Sequence, residues 1–137
     1  WTMNFSRLAF DHVGIRVTDL DVSERFYAKF GFIRDPEEFA PVVRACGLKH
    51  SSGLRIHLIF NGVPDPQGNV LMDLPVKRPG YTHAAFIVES MSDLVHWLEE
   101  ERITITEGPI QMGHDRRIVC FIRDPDGNVL EFNEILG

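Results

Sequence analysis

The sequence predicts an α+β fold of two repeated βαβββ modules, their strands forming a cupped mixed sheet with the helices on its outer face. Three observations carry this prediction: an internal repeat, strand-type alternation of apolar and polar residues, and a short amphipathic helical segment at the same place in each copy. At an offset of 71, FDHVGIRVTDLDVSERFYAKFGF falls on YTHAAFIVESMSDLVHWLEEERI, with His12 on His83, Val17 on Val88 and Phe26 on Trp97. At an offset of 74 the later parts align, with Cys46 on Cys120, Gly53 on Gly127 and His57 on Glu131. One domain is expected over residues 1–137, with module one at about 8–61, a linker at about 62–80 and module two at about 81–136. The linker is marked by its Pro and Gly content.

The elements follow in chain order. LAFDHVGIRV alternates as a strand. Asp19 or Asp21 can then cap a helix that carries Val22, Phe26 and Phe30 on one side up to Gly31. FIRD, a stretch around PVVRACGL, and GLRIHLIFN read as three strands, the last two joined by HSSG. In the second copy THAAFIV is the first strand, and a helix from about Ser92 to Glu101 has Leu94, Val95, Trp97 and Leu98 as its apolar side. TITEGPI, RRIVCFIRD and NVLEFNEI complete the module, with DPDG as a tight turn.

Composition narrows the function. The balance of 14 basic to 20 acidic residues, net charge −6, argues against a nucleic-acid partner or an anionic membrane surface and favours a small-molecule substrate. No apolar run has the length of a membrane span, and WTMNFSRLAF lacks the features of a signal peptide, so a cytoplasmic protein is expected. Cys46 and Cys120 have no zinc-type spacing and read as reduced core residues.

Strand parity exposes the chemistry. If Val13, Ile15 and Val17 face the helix of module one, Phe10, His12, Gly14 and Arg16 face away. By the same parity His57, His83 and Glu131 lie on the faces that their own helices leave uncovered. Three imidazoles and a carboxylate at repeat-equivalent positions suit a divalent first-row metal: Zn, Ni, Co, Mn or Fe. Gly14 and Ala85, on the same faces, leave room beside them.

At these residues, from FDHVGIRV through RDPDGNVLEFNEI, the chain resembles the vicinal oxygen chelate superfamily of glyoxalases, bleomycin resistance proteins and extradiol dioxygenases. The resemblance implies a cup with a metal at its base, held by residues on the first and fourth strands of each module: His12, His57, His83 and Glu131. Within the superfamily, glyoxalase I is the nearest match. His12 followed by Arg16, and His57 followed by Asn61, look like its ligand-and-substrate pairs, although that family usually has Glu where His57 stands. The resemblance implies that Arg16 and Asn61 bind substrate, and that Glu131 is the catalytic carboxylate in a metal-dependent lyase or isomerase. The reaction is then proton transfer next to a metal-bound carbonyl. A non-haem Fe(II) extradiol-type dioxygenase is the second possibility, since His12, His83 and Glu131 make two histidines and one carboxylate. A drug-binding protein without chemistry is the third, and a homodimer is expected in each case.

Other candidates carry weaker signals. His114, in GHDRR, precedes a strand at the expected rim, while His50 and His96 read as structural or exposed. Phe5, Phe39, Met72 and Met112 are candidates for lining the pocket.

Overall fold

The structure, a computed structural model, describes residues 2–114 and 116–137. Asp115, in the GHDRR stretch, lies outside the described residues, as does Trp1. The chain divides into two compact units, Trp1–Gly62 and Val63–Gly137. In the first, β1 (Val13–Arg16), α1 (Leu20–Ala28), β2 (Ile33–Ala40), β3 (Ala45–Lys49) and β4 (Arg55–Ile59) build a mixed sheet in the order β1-β4-β3-β2. In the second, β5 (His83–Ile87), α2 (Met91–Glu100), β6 (Ile105–Met112), β7 (Arg117–Arg123) and β8 (Val129–Ile135) repeat that order as β5-β8-β7-β6. The α+β class and the two βαβββ modules are thus borne out. No helix among the described residues is long and apolar enough to cross a membrane.

The repeat extends to hydrogen-bond register. Gly14 stands opposite His57 where parallel β1 and β4 pair, and Ala85 stands opposite Glu131 where β5 and β8 pair. These are the partners that the two sequence offsets equate.

Local chemistry explains the elements. Asp19 caps α1 by accepting the Val22 N–H at 3.0 Å, and Ser90 caps α2 by accepting that of Asp93 at 3.1 Å. The two helices bury Phe26 and Tyr27, and Met91 and Leu98, respectively. Ile15, Leu48, Ile56 and Leu58 lie buried in unit one, as do Ile122, Leu130 and Phe132 in unit two. Their removal from water is the main stabilising term in each unit.

Three expectations need correction. Val22 is 39% exposed, and Ser23, Phe26 and Tyr27 form the buried side of α1. The helix ends at Ala28, and Gly31 reverses the chain at φ +93°, a conformation that glycine adopts without strain. PVVRACGL is not one strand: Pro41–Val43 form a short 3-10 turn, and β3 starts only at Ala45. Pro41 lacks an N–H for the ladder, and Arg44, at φ 56°, turns the chain so that Ala40 pairs with Ala45. His50 is structural, as expected: its Nε2 lies 3.0 Å from the Phe30 carbonyl and its Nδ1 accepts the Ser52 N–H at 3.0 Å.

Cys46 and Cys120 occupy equivalent places and are fully buried free thiols. Burial raises both thiol pKa values, that of Cys120 to about 11. Because the thiolate is the reactive form, neither should react with iodoacetamide in the folded protein at neutral pH. Both should react once denaturant is added. Mass spectrometry of the alkylated protein checks this, and rapid labelling without denaturant would contradict the buried placement.

Candidate metal and proton-transfer site

In unit one the candidate residues meet on the face that α1 leaves open. His57 is half-buried on β4, flanked across the sheet by Gly14 on β1 and Gly47 on β3. A side chain at Gly14 would meet nothing within 4 Å, so the space beside His57 is open on that flank. His12 lies one residue before β1, outside the ladder that was expected to hold it. Its ring stacks on that of His57 with centroids 3.6 Å apart and planes 14° from parallel. Lone pairs lie in the ring planes, so two rings stacked in this way do not aim their nitrogens at one ion. One of them has to turn before both can ligate, and His12, outside the strand, is the freer.

The tautomers follow from the partners. His12 Nδ1 lies 2.6 Å from Asp11 Oδ2, an acceptor, so in the neutral ring Nδ1 carries the proton and Nε2 the lone pair. That bond holds the Asp11 carboxyl below the usual carboxylate range. His57 Nε2 is buried without a hydrogen-bond partner. Burial, reinforced by the neighbouring His12, lowers the His57 pKa from its ordinary value. A neutral imidazole is the form that binds a metal.

In unit two, His83 opens β5 and Glu131 lies on β8, with His83 Nε2 3.0 Å from Glu131 Oε1. Each partner is held from behind. Thr82 Oγ1 lies 2.8 Å from His83 Nδ1, and Asn133 Nδ2 donates to Glu131 Oε2 at 2.6 Å. The buried Asn133 is oriented in turn by Arg117, whose guanidinium donates to Asn133 Oδ1 at 3.4 Å. Phe121 packs edge-on to His83 with ring centroids 5.6 Å apart. Because the Thr82 hydroxyl can donate or accept, His83 can offer Nε2 as a donor to Glu131 or as a lone pair to a metal.

The family model described as the Glyoxalase/Bleomycin resistance protein/Dioxygenase superfamily matches residues 9–132, a span that includes His12, His57, His83 and Glu131. The chain belongs to this superfamily. A glyoxalase/dioxygenase from Nostoc punctiforme superposes with a TM-score of 0.76 at 17% identity, over 100% of this chain and 97% of that one. A glyoxalase family protein from Enterococcus faecalis gives 0.71 at 25% identity, over 93% and 98%. A glyoxalase family protein from Bacillus cereus gives 0.69 at 22%, over 95% of each chain. Among curated proteins nothing matches the sequence.

Superfamily membership leaves the individual residues to be placed. Arg16 and Asn61, far apart in sequence, are adjacent in space: Arg16 Nε donates to Asn61 Oδ1 at 3.0 Å. His12 meets His57 within unit one, and His83 meets Glu131 within unit two. Among the described residues, no group of three or more His, Cys, Asp or Glu is gathered for a metal. His96 is exposed on α2, with Nε2 2.7 Å from Glu100 Oε1. Phe39 lies under the Arg34 guanidinium at 4.5 Å. Phe5 and Met112 are exposed. Sequence reasoning missed the supporting residues Asp11, Thr82, Asn133 and Arg117. Asn133 had a legible signal, since it lies two residues from Glu131 on the same strand face.

Proposed function

We propose that this protein is a metal-dependent lyase or isomerase of glyoxalase I type that acts on a small oxygen-chelating substrate. The observation that carries the proposal is the His83–Glu131 pair at 3.0 Å, each member oriented by a hydrogen bond on its far side. The donor chemistry fits a divalent metal. His12 presents an Nε2 lone pair, and His57, His83 and Glu131 supply two further imidazoles and a carboxylate. Zn, Ni, Co, Mn or Fe held by His12, His57, His83 and Glu131 would supply Lewis acidity that polarises a substrate carbonyl.

The remaining chemistry belongs to the protein. Glu131 takes a proton from the carbon beside the carbonyl and returns it to the neighbouring position, which isomerises the substrate without net loss of atoms. Asn133 binds Oε2, which keeps Oε1 as the oxygen that points into the site. Arg16 and Asn61 bind polar groups of the substrate, and their mutual hydrogen bond holds the guanidinium in place beforehand. The partner state consistent with this reading is a homodimer, and a cytoplasmic location fits a small-molecule enzyme.

The test is metal content. Protein purified without chelator should carry about one divalent metal per chain by elemental analysis. His83→Ala and Glu131→Gln should lose most of it, and full retention in both would refute the site. The stacking of His12 on His57 favours one second reading, in which His57 stays outside the ligand set and His12, His83 and Glu131 hold Fe(II) for a dioxygenase. Catechol-dependent oxygen uptake by the Fe(II)-loaded protein would select it. Turnover of a 2-oxoaldehyde with glutathione, without oxygen uptake, selects the first.

A further inference from the structure

The face that carries His57 holds one more carboxylate, and a glycine gives access to it. Gly47 stands opposite His57 in the β3–β4 register. A Cβ built on Gly47 would lie 2.5 Å from Glu38 Cβ and 3.3 Å from His57 Nε2. Glu38 Cβ, together with its Cγ at 3.3 Å from that point, therefore fills the space over Gly47 beside the imidazole, and Glu38 Cβ lies closer to Nε2 than the sum of the 2.5 and 3.3 Å distances. From Cβ, a glutamate side chain has enough reach to bring its oxygens to Nε2 across such a distance. In the second module the equivalent of Gly47 is Phe121, which faces Glu131 in register and packs on His83. The glycine that lets a glutamate pack beside the imidazole thus belongs to the first module, with phenylalanine in its place in the second.

Glu38 is also available. Its Oε1 lies 3.7 Å from Arg55, which has a nearer carboxylate partner in Asp35 at 3.0 Å. Turning Glu38 away leaves Arg55 paired. On the other side, His57 Nε2 is buried and lacks a partner, a condition that proteins rarely tolerate for a ring nitrogen.

We propose that Glu38 is a positioning residue for His57: packed over Gly47, its carboxylate accepts the Nε2–H of the imidazole, leaving Nδ1 as the nitrogen turned toward a ligand. The hydrogen bond stands on the protein alone, whereas the role of Nδ1 as a metal donor rests on the function proposed above. A carboxylate behind a ligating histidine fixes its tautomer and raises its basicity. Gly47 is then required because any side chain there would push Glu38 off the imidazole.

Nitrogen-15 imidazole spectra, recorded above the histidine titration range in the metal-free protein and again with Zn(II) alone, test the proposal. His57 of the parent should show a protonated Nε2 and an unprotonated Nδ1. Glu38→Ala should shift the tautomer balance toward Nδ1–H by about tenfold, since a charge-assisted hydrogen bond is lost. Glu38→Gln, which keeps an acceptor oxygen, should restore most of the parent balance. Zn(II) affinity should fall by about 10- to 100-fold in Glu38→Ala. Parent-like spectra in Glu38→Ala, or an Nδ1–H tautomer in the parent, would overturn the proposal. Coordination of Zn(II) through Nε2 would also overturn it while leaving the metal site intact. If no variant binds Zn(II) but the tautomer still depends on Glu38, the positioning role stands and the metal reading falls.

Discussion

On the proposed function, Glu131→Gln is expected to fold like the parent yet lose proton-transfer activity by at least about 10²- to 10⁴-fold, the usual contribution of a positioned acid–base group, with loss of bound metal adding to it. The fold survives because the hydrogen-bond chain can reverse. Arg117 donates to Asn133 Oδ1, which fixes the Asn133 amide as a donor toward residue 131. A glutamine would turn its oxygen to Asn133 and its amide to His83. His83 would then accept at Nε2 and donate from Nδ1 to Thr82, whose hydroxyl takes either role. Glu131→Ala has no such adjustment. It leaves the buried Asn133 amide without its acceptor, at a cost of about 1–3 kcal/mol. Comparing kcat/KM, metal content and thermal unfolding of the two variants separates chemistry from folding. Full activity in Glu131→Gln would remove Glu131 from the mechanism.

Asp124→Ala is expected to destabilise unit two by about 2–4 kcal/mol, because several hydrogen bonds end on one side chain that is 5% exposed. Asp124 Oδ1 accepts the backbone N–H groups of Asp126 and Asn128, and Oδ2 accepts the Asn128 amide. These bonds hold the DPDG turn, where Gly127 sits at φ +84° and donates to the Asp124 carbonyl at 3.0 Å. The turn delivers the chain into β8 two residues before Val129 and therefore sets where Glu131 emerges. Asp124→Asn keeps an oxygen for the two backbone donors and should lose only about 1 kcal/mol. In thermal melts, Asp124→Ala should unfold roughly 10 °C lower than the parent, with Asp124→Asn between them. Equal melting temperatures for Asp124→Ala and the parent would show that the turn is held by its backbone alone.

The sequence by itself determined the repeat, the element order and the faces of the strands, because these depend on local periodicity. Alternation with a period of two puts His57 and Gly14 on the uncovered face of one module and Glu131 and Ala85 on that of the other, and the structure pairs those residues. The family assignment was legible for the same reason, since its motifs lie on the strands where the pattern is strongest. Asp19 as a helix cap and DPDG as a turn follow from short-range side-chain chemistry.

Only the tertiary structure decided what lies behind each candidate residue. The link from Arg117 through Asn133 to Glu131 joins β7 to β8, and the approach of Glu38 to His57 depends on an irregular register between β2 and β3 from Arg34 to Phe39. Sequence spacing does not encode such cross-strand contacts, because a bulge moves every later side chain relative to its neighbours. The stacking of His12 on His57 is likewise a matter of rotamers and of where β1 begins. Periodicity assigns a residue to a face, whereas the distances and hydrogen-bond partners that orient its nitrogens and oxygens arise only when the strands pair.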